Sequence, residues 1–200
     1  STSFESALLD AKLMLACDEA TSILVGGVDE LGEHTIKIHR LINHIKQAPV
    51  QSNNLLQSNT EGAIFSEGAN FFVLSNEKIQ TSYAEVITLI TDFLQQHNVT
   101  EDLIDVLVLG NNGDVNYDHA YNDLSFGMFS KTQQVYYKHL CGEFNTASSF
   151  GVWLASKIIK TQNIPDCVRL NHVTNNNFEY VLLYNQYRGE NHSLTLLRKC

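Results

Sequence analysis

Two stretches of the sequence combine residue types that could support chemistry. In residues 138–159, small side chains crowd the first half and apolar ones follow at spacings of three and four. This pattern predicts a buried helix with Asn145 as its N-cap. Such a helix start presents unpaired amide groups and the positive end of the helix dipole. A reaction centre is one interpretation, and tight packing of a core helix on a sheet is the simpler one.

The second stretch is the polar run Gly-Asn-Asn-Gly-Asp at residues 110–114. It follows the continuous apolar run of residues 104–109, which is typical of a buried parallel strand. In an open α/β sheet, ligands collect at the carboxyl ends of the strands. The run is therefore the second candidate site, although a plain tight turn fits the same residues.

The elements that must position these stretches alternate between helix and strand, which predicts an α/β fold. In the first helix we expect Ser3 to be the N-cap and Glu5 to lie off the apolar face. Gly26 and Gly27 are expected to stop the first strand, and residues 174–177 to form a hairpin turn. The predicted helices cover residues 3–17, 35–47 and 83–97, and the predicted strands cover residues 22–25, 70–74, 104–109, 167–172, 178–184 and 193–197.

Composition narrows the possible functions. The chain has 200 residues, of which 44% are hydrophobic, so it can bury the core of a single domain over residues 1–200. A net charge of -9 without a basic run argues against binding of nucleic acid or an acidic membrane. The four cysteines lack CxxC spacing, which predicts reduced thiols and no metal site, and we expect no cofactor.

The absence of a long apolar run and of a signal peptide predicts a soluble, cytoplasmic protein. The sequence does not begin with Met and enters a helical pattern almost at once. We therefore expect that it starts inside a domain.

Five sequence landmarks occur in an order that resembles a known family. They are Leu-Val-Gly-Gly-Val-Asp-Glu at residues 24–30, Ser-Glu-Gly-Ala at 66–69, Leu-Gly-Asn-Asn-Gly-Asp at 109–114, Lys-His-Leu-Cys-Gly at 138–142 and Tyr-Arg-Gly-Glu-Asn at 187–191. The chain is similar to the β-ketoacyl-acyl-carrier-protein synthases of the thiolase-like superfamily, from part-way through the family's first half. The resemblance implies a thiolase-like layered α-β-α fold, fragmentary at the N-terminus.

The same resemblance exposes three departures from the family's chemistry. Condensation needs a Cys thiolate at a helix N-terminus and two histidines that steer decarboxylation and hold the oxyanion. Carried over without gaps, the nucleophile position falls on Ser1, the first histidine on Gly110 and the second on Glu143, whereas Lys138 matches the family's lysine. A carboxylate at the second position would repel both the malonyl carboxylate and the enolate.

Three functions remain open on these grounds. The first is a ketosynthase-like subunit of fatty acid or polyketide biosynthesis, of the aryl-polyene type, which lacks condensing activity and resembles a chain-length factor. The second is a divergent active enzyme that uses Glu143 near Asn111 and Asp114, or groups outside this chain. The third is an interaction module of thiolase-like fold with no acyl ligand, for which a filled pocket instead of a tunnel would argue. The predicted substrate-binding residues are Asn111, Phe144, Phe150, Tyr187 and Asn191.

The expected partners also come from the resemblance. It implies a homodimer or a heterodimer with an active ketosynthase, and docking of an acyl carrier protein. Carrier protein is acidic, so docking would need a basic patch. Its candidate members are Lys12, Arg40, Lys131, Lys138 and Arg188. We expect His119 and His139 to have packing or surface roles, and Cys141 to be a poor nucleophile.

Overall fold

The computed structural model describes residues 2–88, 100–173, 175 and 177–200. The helices are α1 (Ser3–Ala16), α2 (Glu33–Leu41), α3 (His119–Phe126), α4 (Lys138–Cys141) and α5 (Ser148–Thr161). The strands are β1 (Ser22–Asp29), β2 (Gly68–Ser75), β3 (Glu85–Thr88), β4 (Val106–Leu109), β5 (Gln133–Tyr136), β6 (Tyr180–Tyr187) and β7 (Asn191–Arg198). Short 3₁₀ helices cover Ser52–Gln57, Glu101–Leu103 and Asp166–Val168.

Two sheets enclose a layer of helices. Strands β1 and β2 form an antiparallel pair, and the other strands form a five-stranded sheet in the order β3-β7-β6-β4-β5. Within the larger sheet, β4 runs parallel to both β5 and β6. Helix α1 packs on β1 and against α5, which packs on β6 and also contacts β2. The two helices therefore lie between the sheets, as in a layered α/β fold.

The core confirms the prediction of a buried parallel strand after residue 104. All four residues of β4 are fully buried, because the sheet carries a hydrophobic cluster on each face. Val106 and Val108 face α1 and α5, whereas Leu107 and Leu109 face Tyr121 of α3. In the described part of the chain, no helix is long and apolar enough to cross a membrane.

The first strand differs from its prediction because other segments cover its glycines. Strand β1 continues through Gly26 and Gly27 to Asp29 instead of stopping. The Phe71 ring occupies the space that a Cβ at Gly26 would need, and the Thr146 side chain does the same at Gly27. A glycine pair that accepts close neighbours can thus lie inside a strand.

Both predicted N-caps were wrong. Helix α1 follows Thr2 as its cap, not Ser3. Helix α5 starts only at Ser148, so Asn145 lies in the loop that separates it from α4. In that loop the carboxylate of Asp29 accepts a hydrogen bond from the backbone N–H of Thr146 at 3.0 Å, two residues before α5 begins.

Several other boundaries also differ. The second predicted helix ends at Leu41 instead of residue 47. Of the predicted helix over 83–97, residues 85–88 form strand β3, and residues 89–99 lie outside the described residues. Residues 167–172 are not a strand. The hairpin turn predicted over 174–177 includes residues 174 and 176, which lie outside the described residues, and a turn at 188–190 joins β6 to β7. Strand β5 and helix α3 were not predicted.

Candidate functional site

The loop of residues 110–114 lies where two parallel strands end. Strands β4 and β6 run side by side, and the N–H of Gly110 donates to the carbonyl of Tyr184 at 3.0 Å. Lys46 holds the far end of the loop, because its Nζ donates to the carbonyls of Gly113 at 2.7 Å and Thr60 at 3.0 Å. The loop is therefore fixed at the carboxyl edge of the sheet, where the sequence placed it.

Glu143 lies against this loop and forms an ion pair with Lys138 that is largely shielded from solvent. Its Oε2 is 2.6 Å from Nζ of Lys138 and accepts a hydrogen bond from Nδ2 of Asn112 at 2.7 Å. The Lys138 side chain is only 3% exposed and that of Glu143 16% exposed. The backbone of Glu143 is clamped as well, since its N–H donates to Ile64 and its carbonyl accepts from Ser66.

The backbone between α4 and Glu143 needs a glycine. Gly142 adopts a left-handed conformation with φ of 73°, and a Cβ there would meet Ser66 and the carbonyl of Ile64. This conformation turns the chain sharply after α4. The turn lets Lys138 and Glu143, five residues apart, face each other.

Gly110 has no space for a side chain. A Cβ on Gly110 would collide with Oδ1 of Asn185 and lie 3.1 Å from the hydroxyl of Tyr121. The Tyr121 hydroxyl accepts a hydrogen bond from the N–H of Gln186 at 3.0 Å, so it cannot easily withdraw. The volume that a larger residue at position 110 would take is thus filled from β6 and α3.

Helix α1 reaches the same place through Glu5. Its Oε1 accepts hydrogen bonds from Oγ of Ser193 at 2.9 Å and Nδ2 of Asn185 at 3.4 Å. Glu5 is 5% exposed, so the prediction that it lies off the apolar face was wrong. The signal was present, because Glu5 lies three residues before the buried Leu8 on the same helix face.

Burial disfavours the charged forms of the side chains around this site, since it lowers the pKa of Lys46 and raises the pKa values of two acidic groups. Burial raises the pKa of Asp118 to about 6, although backbone hydrogen bonds from Gly113 and Asn112 and the positive charge of Lys138 act to lower it. It also raises the pKa of the Tyr121 hydroxyl well above its usual value, and the negative charges of Glu143 and Asp118 add to that effect. The site therefore disfavours additional negative charge.

Several buried polar atoms at or near the site have no hydrogen-bond partner. They include Oε2 of Glu5, Oδ1 of Asn111, Oδ1 of Asp118 and Oδ1 of Asn185, together with the hydroxyls of Tyr137 and Ser148. The first four are acceptors. Buried acceptors without donors are costly, so they favour a partner that donates hydrogen bonds over an anion.

The predicted substrate-binding residues occupy different settings. Asn111 is buried in the loop, and the Phe144 ring packs under Gly68 of β2. The Phe150 ring packs on Trp153, with ring centroids 5.1 Å apart, and on Tyr137 at 6.2 Å. Tyr187 and Asn191 face each other across the β6–β7 hairpin. Ser1, the predicted nucleophile position, lies outside the described residues.

No protein-family model and no curated protein matches the chain, but solved structures do. A β-ketoacyl synthase from Burkholderia phymatum superposes with a TM-score of 0.75 at 15% identity, covering 100% of this chain and 60% of its own. A ketosynthase in complex with its chain length factor from Xenorhabdus doucetiae superposes with a TM-score of 0.79 at 14% identity, covering 100% of this chain and 58% of that chain. The ishigamide ketosynthase/chain length factor superposes with a TM-score of 0.75 at 15% identity, covering 98% of this chain and 58% of that chain.

The chain has the ketosynthase fold. The predicted thiolase-like α/β class is thereby confirmed. The chain spans about three fifths of the length of these solved chains, with shares of 58% to 60%.

Tyr121 interacts with both of the positions that the resemblance assigned to histidines. Its hydroxyl is near Gly110, and the charge of Glu143 acts on it. That Gly110 and Glu143 correspond to the family's histidines stays a prediction. The sequence analysis missed Asn185, Asp118 and Tyr121, because their roles depend on contacts between distant segments.

Other reactive side chains have different surroundings. Burial raises the pKa of the Cys141 thiol to about 12, which makes a thiolate nucleophile unfavourable at neutral pH. His139 stacks on Tyr136 and bonds the carbonyl of Cys167, and His119 is exposed at the start of α3. Lys138 is buried in its ion pair, so it cannot belong to a surface patch for a carrier protein.

Two shallow cavities lie at the other end of the larger sheet, near the amino ends of β4 and β6. Their volumes are about 240 and 340 Å³, and both are lined in part by Val173 and Asn175. They are remote from the loop of residues 110–114. We assign them no role in the site.

Proposed function

We propose that the chain is a ketosynthase-fold subunit of fatty acid or polyketide biosynthesis, of the aryl-polyene type, that does not condense acyl groups itself. It pairs with an active ketosynthase, as a chain-length factor does, and contacts an acyl carrier protein in that assembly. The homodimer is the alternative assembly. The observation that carries the proposal is the ion pair between Lys138 and Glu143.

This ion pair argues against decarboxylation of a malonyl group. That step needs donors aimed at a developing oxyanion. Here Lys138 is committed to Glu143, and the carboxylate of Glu143 would repel the malonyl carboxylate. Gly110 cannot supply a donor side chain, and the amide of Asn185 presents its oxygen, an acceptor, to that space. Neither position can therefore do what a histidine does in condensation.

The solved structures support the proposed pairing. Two of them are ketosynthase/chain-length-factor proteins, and they superpose on nearly the whole of this chain. A subunit that retains the scaffold without the reacting groups can still present a surface to the partner and to the acyl chain.

The test is co-purification with the ketosynthase from the native operon, followed by a malonyl-carrier-protein decarboxylation assay with and without this chain. We expect no turnover by this chain alone, and stimulated or length-shifted products when the partner is present. Turnover by this chain alone that Glu143→Gln abolishes would contradict the proposal.

A second candidate is a divergent active enzyme, and Asp118 is the observation that favours it. Its pKa of about 6 suits a general acid or base near neutral pH better than the ion-paired Glu143 does. If this candidate is right, Asp118→Asn abolishes acyl-transfer activity that the unmodified chain shows without a partner. Equal activity of both proteins would reject Asp118 as the reacting group.

A further inference from the structure

The C-terminal end of α2 brings two histidines together. The N–H of His44 donates to the carbonyl of His39 at 2.9 Å, and the N–H of Asn43 donates to that of Arg40 at 3.2 Å. Asn43 is left-handed, with φ of 55°. These are the features of a Schellman turn, which places the side chains of its first and last positions in contact. Most such contacts are apolar, but here both side chains are imidazoles.

The two rings are aimed at each other. The Nδ1 atoms of His39 and His44 are 3.0 Å apart, and the ring centroids are 5.1 Å apart. The His39 ring also lies against Phe65, with centroids 4.6 Å apart, which restricts its rotation. In the neutral pair, one Nδ1 must hold a proton and donate it to the other.

We propose that His39 and His44 bind a divalent transition-metal ion, such as Cu²⁺ or Zn²⁺, through both Nδ1 atoms. A metal with bonds of about 2.0 Å to two nitrogens separates them by about 2.8 Å at a right angle and about 3.3 Å at the tetrahedral angle. The observed 3.0 Å lies in this range. Imidazole is a good ligand for both ions. On binding, the ring that holds its proton on Nδ1 releases it to solvent and takes up a proton on Nε2, so both ligands are neutral imidazoles. Water fills the remaining coordination positions.

The surroundings do not complete a closed site. The positive charge of Arg188 acts on His44 more strongly than the negative charge of Asp114 does. No group of three or more His, Cys, Asp or Glu side chains among the described residues could hold a metal ion. We therefore expect an open site with two protein ligands. The ion would add a further link to the end of α2, a helix that has no buried residue.

The test is a Cu²⁺ titration of the whole chain without a histidine tag, followed by electron paramagnetic resonance. We expect one equivalent to bind and its spectrum to show splitting from two imidazole nitrogens. In His44→Ala the affinity should fall at least about tenfold, because one ligand is lost. His34→Ala, which changes an exposed histidine in the first turn of the same helix, should bind as the unmodified chain does.

A second variant guards against misfolding. His39→Gln keeps a polar side chain beside Phe65 and should also lose the two-nitrogen spectrum, while circular dichroism reports whether each variant is folded. The proposal fails if the unmodified chain binds no Cu²⁺ saturably. It also fails if the folded His44→Ala and His39→Gln proteins keep the spectrum, or if His34→Ala loses it equally. None of these outcomes depends on the proposed role in acyl metabolism.

Discussion

The two sides of the candidate site, at Glu143 and at Gly110, are built in different ways. On one side, the carboxylate of Glu143 forms an ion pair with Lys138 at 2.6 Å. On the other side, Gly110 has no side chain, and Asn185 of the neighbouring strand β6 fills the volume that one would occupy. One substitution is enough to break the ion pair on the charged side. On the filled side, a larger residue at position 110 needs a second substitution that makes Asn185 smaller. Replacing either residue alone with histidine would therefore leave the other side unchanged.

The largest effect is expected on the charged side. Lys138→Met leaves the carboxylate of Glu143 without its partner, and removing one member of a buried pair costs about 3 to 5 kcal/mol of unfolding free energy. Urea denaturation measures the loss, and Lys131→Met, at an exposed lysine, is the control. The double change Lys138→Met with Glu143→Met should recover most of it. If the double change is no more stable than Lys138→Met alone, the pair is not coupled as described.

Asp118 sharpens the comparison through pH. Its pKa is raised from 3.8 to about 6 in the folded protein, so the folded state holds its proton more tightly than the unfolded chain. Stability should therefore fall as the pH rises from about 4 to 6, by up to about 3 kcal/mol. Asp118→Asn should remove this slope in denaturation curves measured between those values. Asp123→Asn, at an exposed position on the same helix, should retain it.

The filled side should resist enlargement. Gly110→Ala forces a Cβ into Asn185 and towards Tyr121, and overpacking of this kind costs about 2 kcal/mol. Adding Asn185→Ser should recover part of the loss in thermal unfolding, because it vacates the contested space. Gly32→Ala is the matched control, since its nearest neighbour would be Oγ1 of Thr35 at 3.8 Å. Equal destabilisation by both changes would refute the close contact at Gly110.

The smallest effect concerns the support behind Asn185. Ser193→Ala removes the 2.9 Å hydrogen bond to Glu5 and should cost about 1 kcal/mol. Ser75→Ala removes an exposed hydrogen bond to Thr21 and should cost less. A difference in the opposite order would mean that the Glu5 carboxylate finds another donor in the variant.

Local patterns predicted part of this structure. The apolar run before residue 110 indicated β4, and the glycine-rich loop after it was placed correctly at the strand end. The sequence also indicated Lys138 and Glu143 as residues of interest, and they form an ion pair. In these cases the signal lies within a few residues of the feature it predicts.

Contacts between segments that are distant in the sequence determine the features that local patterns did not predict. Strand β5 reads Gln-Gln-Val-Tyr, and its two glutamines are buried because they bond Asn171, Ser125 and Phe129. The periodicity of the sequence does not predict these hydrogen bonds. The strand predicted over residues 178–184 stops one residue short of Asn185, because a polar residue in a fully buried strand position is rare. Its environment is created by Gly110 and Glu5, which are far away in the chain.

The contact of Gly27 and Asp29 with Thr146 has a consequence for sequence variation. Strand β1 and the segment before α5 are 117 residues apart at this bond, yet the Thr146 side chain covers Gly27 while Asp29 binds its amide. A larger residue at position 27 would push the start of α5 away from the sheet. Homologous sequences should therefore change these three positions together, and an alignment that contains them should show their covariation.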